Sequence, residues 1–151
     1  MKQSTVEIIS LTADTVPYIF DFVLELAHYE KSPDAVITTV EEYISAFEQG
    51  LIDGHLASVD GTFVGCTLFY MTFSTWKGKC LYLEDFYIQS EFRHLGIGQL
   101  LFDAYIEKAK ALDAAMVKWQ VLDWNAPAIK FYGKNKAIID KEWWNGKIYF
   151  K

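Results

Sequence analysis

The chain has 151 residues, 52% of them hydrophobic and 17% aromatic, which suits one domain with a proper core and excludes a disordered chain. Its net charge of −6 argues against nucleic acid as a partner, because that binding is dominated by neutralising phosphates. No apolar run approaches the ~20 residues of a membrane helix, and MKQSTVEIISL has no apolar block before a small-residue cleavage site, so a cytoplasmic protein without a membrane partner is expected.

VEIIS alternates as a short opening strand. Asp14 is the expected N-cap of an amphipathic helix over about 15–30, with Ile19, Phe22, Val23 and Leu26 on one stripe. A second helix is predicted over about 39–49, with Tyr43, Ile44 and Phe47 inward. Two strands, 54–59 and 62–73, are joined by Asp60-Gly61, the strongest short hairpin signal in the chain. A strand over 79–88, a polar loop, a helix over about 97–112, a strand over 116–122 and a short helix over about 126–134 follow. Closing strands are predicted near 136–140 and 146–150. Three strands run consecutively while helices are interspersed elsewhere, so the fold class is α/β or α+β, a mixed sheet covered by helices in a single domain over 1–151.

Cys66 and Cys80 lie inside apolar, strand-like runs far from CxxC spacing and read as buried free thiols. His28, His55 and His94 show no ligand spacing, so no metal is expected.

The most informative stretch is Gln89-Ser-Glu-Phe-Arg93-His-Leu-Gly96-Ile-Gly98-Gln99. It leads from an apolar strand through a glycine-containing loop into a helix, whose first turn presents N–H groups and the positive end of the dipole to an anion. Glycine at 96 and 98 lets backbone approach phosphate closely, and Arg93 adds a fixed positive charge. A P-loop is excluded, because Gln99-Leu100 stands where Gly-Lys-Ser/Thr would need Lys-Ser/Thr. A dinucleotide fold fits poorly: the third glycine position is Leu101, although Asp123 imitates the ribose-binding acid. A glycine helix cap with an incidental arginine is the bland alternative.

Arg93, Gly96 and Gly98 match Arg-x-x-Gly-x-Gly in full, and the loop resembles the pyrophosphate-binding signature of the GNAT acetyltransferases. Leu81-Tyr-Leu-Glu-Asp-Phe-Tyr-Ile88, Leu122-Asp-Trp-Asn125, Phe131-Tyr132 and Leu26-Ala-His-Tyr-Glu30 are similar to the diamine and thialysine acetyltransferases within that superfamily. Ser74-Thr75-Trp76 stands where polyamine-acetylating members carry Asp-Pro-Trp, and resembles the thialysine branch. A glycine usual after the helix tyrosine is replaced by Lys136, with Asn135 the expected left-handed cap. The resemblance implies acetyl-CoA as co-substrate, a homodimer, to which Ile148-Tyr149-Phe150 could contribute, and acetyl transfer to the primary amine of a small cationic molecule, whether a thialysine-like amino acid, a diamine or a polyamine.

A lysine-like amine has a pKa of about 10.4, so at pH 7 roughly one molecule in 2,500 is neutral, a deficit of about 4.6 kcal/mol that calls for a base. Glu84-Asp85, adjacent carboxylates inside an apolar strand, are the candidates, unless both are structural ion-pair partners. Strand alternation would send them to opposite faces, with Glu84 the favoured base, directly or through water, and anchor for the ammonium. The resemblance implies Tyr132 as general acid for the departing thiolate. It also implies a CoA site of Phe86, Tyr87 and Ile88 (through backbone), Arg93, His94, Leu95, Gly96, Ile97, Gly98, Gln99, Asn125, Ala128, Tyr132 and Lys134. Tyr29, Glu30, Ser74, Trp76, Glu84 and Trp119 form an expected aromatic and acidic lining for the amine. A non-catalytic acyl-CoA-binding module, or an acetyltransferase acting on protein lysines or N-termini, are the competing readings.

Overall fold

The computed structural model describes residues 2–151. The chain divides into two compact units, Met1–Gln120 and Val121–Lys151.

The first unit holds five strands, β1 (Val6–Ser10), β2 (Asp53–Val59), β3 (Thr62–Ser74), β4 (Gly78–Ile88) and β5 (Met116–Trp119), and three helices, α1 (Val16–Tyr29), α2 (Val40–Glu48) and α3 (Ile97–Ala111). The strands form one sheet in chain order, antiparallel throughout except that β4 and β5 run parallel. The expected mixed, mostly antiparallel sheet flanked by helices is the fold observed.

Local chemistry explains most of these elements. Asp60 and Gly61 both take positive φ (49° and 83°), the geometry a two-residue I′ hairpin requires. Thr39 and Glu42 cap α2 reciprocally: the Glu42 amide donates to the Thr39 hydroxyl at 3.2 Å, and the Thr39 amide donates to the Glu42 carboxylate at 3.1 Å. The cap of α1 differs from expectation. Thr15, not Asp14, is the N-cap, because the Thr15 and Val16 amides both donate back to the Thr12 carbonyl and close the turn one residue later.

Two apolar layers sandwich the sheet. Val16, Ile19, Phe22 and Val23 of α1 pack with Leu56, Cys66, Leu68 and Tyr87 on one face, where Tyr43, Ile44 and Phe47 of α2 join them. Ile97 and Leu101 of α3 pack with Ala57, Val64 and Ile88 on the other. Cys66 and Cys80 are buried free thiols, as expected.

The β3–β4 ladder contains the feature that shapes the site. Leu68 lies opposite Asp85, but its neighbour Phe69 lies opposite Leu83, which leaves Glu84 as the extra residue of a β-bulge. The parallel pairing of β4 with β5 covers only Cys80–Leu83 and stops at that bulge. β5 therefore ends at Trp119 rather than Leu122, since a bulge bends its strand and disrupts the neighbouring ladder.

The second unit contains one helix, α4 (Ala126–Lys134), with Asn125 as N-cap: the Ala128 amide donates to Asn125 Oδ1 at 3.3 Å. Lys136, not Asn135, takes the left-handed position after it (φ 64°), while Asn135 turns its side-chain amide onto the Phe131 carbonyl at 2.9 Å. The closing strands predicted near 136–140 and 146–150 do not form. A strand needs a neighbour for its N–H and C=O groups, and among the described residues none pairs with this segment. It carries a run of exposed apolar side chains, Ile138, Trp143, Trp144, Ile148, Tyr149 and Phe150.

Candidate active site

The bulge overturns the simple alternation expected of Glu84 and Asp85. Asp85 stands opposite Leu68, whose side chain belongs to the α1–α2 face of the sheet. Glu84 accepts a hydrogen bond from the Tyr70 hydroxyl at 2.7 Å, and Tyr70 packs against that same α1–α2 cluster. Both carboxylates therefore serve one face. An extra residue in one strand is the device that lets consecutive side chains do so.

Their electrostatics differ. Burial pushes the Asp85 carboxyl up to about 7, with the negative charges of Glu84 and then Glu30 adding to it. Glu30 itself, the C-cap of α1, is raised by burial. Tyr70 is raised by burial and by its bond to Glu84. Tyr82, stacked on Tyr70 with ring centroids 5.4 Å apart, is raised by burial and the Glu84 charge. Tyr43 of α2 feels both carboxylates as well. The site thus gathers acidic side chains among tyrosine rings, which suits an ammonium ion. Its carboxyl near neutrality can hold or release a proton at working pH.

Beyond the bulge, Phe86, Tyr87 and Ile88 pair with β3 alone in the sheet. Tyr87 donates to Glu25 of α1 at 3.3 Å, and Gln89 donates to the same carboxylate at 3.3 Å. Arg93 Nε donates to the Ile88 carbonyl at 2.8 Å, and its guanidinium lies over the rings of Tyr29 and Tyr87, 4.9 Å and 5.6 Å from their centroids. A single 3₁₀ turn, Ser90–Phe92, leads into the loop. There His94 (φ 67°) and Gly96 (φ 82°) both adopt left-handed backbone around an exposed Leu95, and Gly96 caps α3.

This loop fits a phosphate group. A Cβ at Gly96 would meet nothing within 4 Å, so the space beside it is open to a ligand, and the positive φ would strain any other residue there. At Gly98 a Cβ would make only an ordinary contact, 3.7 Å from Phe86 Cζ. The buried Ile97 anchors the first turn of α3, while Gln99 donates to Asp103 at 2.8 Å.

Some expected lining residues are not brought to the carboxylates. Trp119 meets Phe102 of α3 edge-on at 5.6 Å, on the opposite face of the sheet. Ser74 and Trp76 sit at the far turn of the β3–β4 hairpin, where Ser74 Oγ accepts the Lys77 amide at 3.1 Å and Trp76 is 83% exposed. Glu84 lies six positions along the strand from Gly78, about 20 Å at ~3.3 Å per residue. In the second unit Tyr132 is buried and meets the Phe131 ring at 5.7 Å, Ala128 completes the Asn125 cap, and Lys134 lies in the last turn of α4. Sequence reasoning missed Tyr70, Tyr82, Tyr43 and Glu25. Tyr70, Tyr43 and Glu25 reach the site through register or helix packing, neither of which leaves a local signal, whereas Tyr82, two positions before Glu84 on the same strand, could have been found from strand alternation.

With this geometry in place, comparison with known proteins is decisive. The profile of the acetyltransferase (GNAT) family matches residues 18–136. The chain belongs to the GNAT acetyltransferase family.

As a GNAT protein it is an acyltransferase, and its relatives are informative. A thialysine N-epsilon-acetyltransferase of Caenorhabditis elegans is 34% identical over 126 residues, covering 83% of this chain and 79% of its own. One from Bos taurus is 34% identical over 140 residues, covering 84% and 82%. An L-ornithine N5-acetyltransferase of Arabidopsis thaliana is 35% identical over 85 residues, covering 56% of this chain and 37% of its own. Among solved structures, an aminoglycoside acetyltransferase from an uncultured soil sample, in complex with trehalose, superposes with a TM-score of 0.82 at 16% identity, over 97% of each chain. Likeness at that identity speaks for the GNAT fold alone.

Proposed function

We propose that this GNAT protein transfers an acetyl group from acetyl-CoA to the primary amine of a small cationic molecule, with thialysine-like amino acids preferred. The observation that carries the reading is the pair Glu84 and Asp85 on one face of the bulged strand, with Asp85 raised to about 7. The relatives named for thialysine and ornithine support the amine class.

Acetyl-CoA supplies the acetyl group as a thioester and leaves as a thiol. The loop backbone at His94–Gly98 and the N-terminal turn of α3 would hold its pyrophosphate, and the backbone of Phe86–Ile88 its pantetheine arm. Glu84, fixed by Tyr70, attracts the ammonium group, and Tyr82 and Tyr70 offer their rings to it. Asp85 accepts the amine proton, because a carboxylate near neutrality is a far stronger base than an ordinary one. This moves the base from Glu84, favoured on sequence grounds, to its neighbour. Tyr132 holds a hydroxyl proton for the departing sulfur, the role matched to it by family resemblance.

The protein works as a homodimer in this reading, supported by the exposed apolar segment from Ile138 to Phe150. Incubation with acetyl-CoA and a panel of thialysine, ornithine, lysine, diamines and polyamines, reading free thiol, tests the function. Thialysine or ornithine should give the highest kcat/KM. Spermine exceeding every amino-acid amine would overturn the substrate class, and thiol release with none of them would overturn the function.

A further inference from the structure

The signature arginine of the cofactor loop turns its side chain onto the end of β4 and onto α1. Its Nε is committed to the Ile88 carbonyl, and its guanidinium plane lies over two tyrosine rings. Those rings come from different elements: Tyr87 from the end of β4, Tyr29 from the last turn of α1. Glu25, one helical turn before Tyr29, receives Tyr87 and Gln89. The loop end of β4 is therefore clipped to α1 at two points one turn apart. Tyr29 is followed by Glu30, whose charge reaches Asp85.

We propose that Arg93 is a positioning residue that couples the cofactor loop to the amine site. Its guanidinium fixes Tyr29 and Tyr87 together, so that ordering the loop around CoA also sets the end of α1 against the carboxylates. The inference rests on the function proposed above and goes beyond it, predicting that CoA and amine each tighten binding of the other. Reciprocity follows from linkage: two sites biasing one clamp must affect each other by the same factor. A purely electrostatic role for Arg93, as a charge for phosphate, predicts no such coupling. Lysine separates the two roles, since it keeps the charge but has neither a planar guanidinium to stack on two rings nor an Nε–H for the Ile88 carbonyl.

Titration calorimetry of CoA, which carries no acetyl group to transfer, into the whole chain with and without saturating thialysine gives the test. The ratio of the two dissociation constants is the coupling factor, expected at about 5-fold or more in the wild type. Arg93→Lys should bring it close to 1. Tyr29→Leu should do the same and should weaken CoA binding alone by about 5-fold, although Tyr29 lies outside the loop. Tyr29→Phe keeps the ring and should keep the coupling. The double variant should be no worse than either single one, because both changes open the same clamp. Arg93→Lys with wild-type coupling, or single effects that add in the double variant, overturns the proposal. A wild type that binds CoA without coupling to thialysine overturns it while leaving the proposed function standing. A wild type that binds no CoA overturns both.

Discussion

Tyr70 donates its phenolic proton to Glu84 across the β3–β4 ladder at 2.7 Å, on the face of the sheet where Asp85 also stands. The two strands would not place these side chains together in a regular ladder; the extra residue at Glu84 does so. Hydrogen bonds to charged groups contribute about 1.5–3 kcal/mol where water is excluded and less where it is not. Tyr70→Phe should therefore raise the amine KM several-fold with a smaller effect on kcat. Steady-state kinetics with the best amine checks this, and an unchanged KM would remove Tyr70 from the site.

Asp85→Asn keeps the shape and removes the proton acceptor. Its kcat should fall by about 100-fold or more, within the range typical of general bases. The wild-type rate should rise with pH through about 7, where Asp85 loses its proton, and the variant should lack that limb. A pH–rate profile decides it, and a variant with the same limb would move the base elsewhere.

The same carboxyl should leave a mark on stability. Its folded pKa of about 7 lies above the ordinary aspartate value of 3.8, so the folded state binds the proton more tightly than the unfolded one. The stability this contributes is complete below about 4 and is lost as pH rises through about 7. Between pH 4 and 8 the wild type should lose roughly 4 kcal/mol from this group, at about 1.4 kcal/mol per pH unit between the two values, and Asp85→Asn should lose far less. Urea denaturation at a series of pH values measures the difference; parallel curves for the two proteins would refute the assignment.

Glu84→Gln removes one of the charges that raise Asp85, the second cause after burial. The midpoint of the pH–rate profile should move to lower pH, and the amine KM should rise as the anchor for the ammonium is lost. A midpoint that stays in place would show that the two carboxylates do not communicate.

Tyr132→Phe removes only a hydroxyl and keeps the packing of a buried ring, so acetyl-CoA should still bind. Its rate should fall by about 100-fold or more, and most at high pH, where solvent protonates a thiolate poorly. Near wild-type kcat between pH 6 and 9 would exclude it as the acid.

Much of this protein is determined locally. The Asp60-Gly61 hairpin, the Thr39–Glu42 capping box and the Gly96 cap of α3 are each written in residues a few positions apart, because turn and cap energetics are short-range. The loop proposed to hold phosphate is legible for the same reason: such a role needs backbone conformation, which glycine spacing reveals. Tertiary structure decided the rest. Whether Glu84 and Asp85 share a face depends on a register shift against β3, set by packing across strands and not by either residue. Tyr70 meets Glu84 across 14 positions of sequence and Glu25 meets Tyr87 across 62, and these contacts, like that of Tyr43, exist only because the ladder and α1–α2 packing carry the residues there. The apolar alternation near 146–150 predicted a strand, yet a strand exists only where another supplies the other half of its hydrogen bonds, and no residue pattern within one segment contains its neighbour.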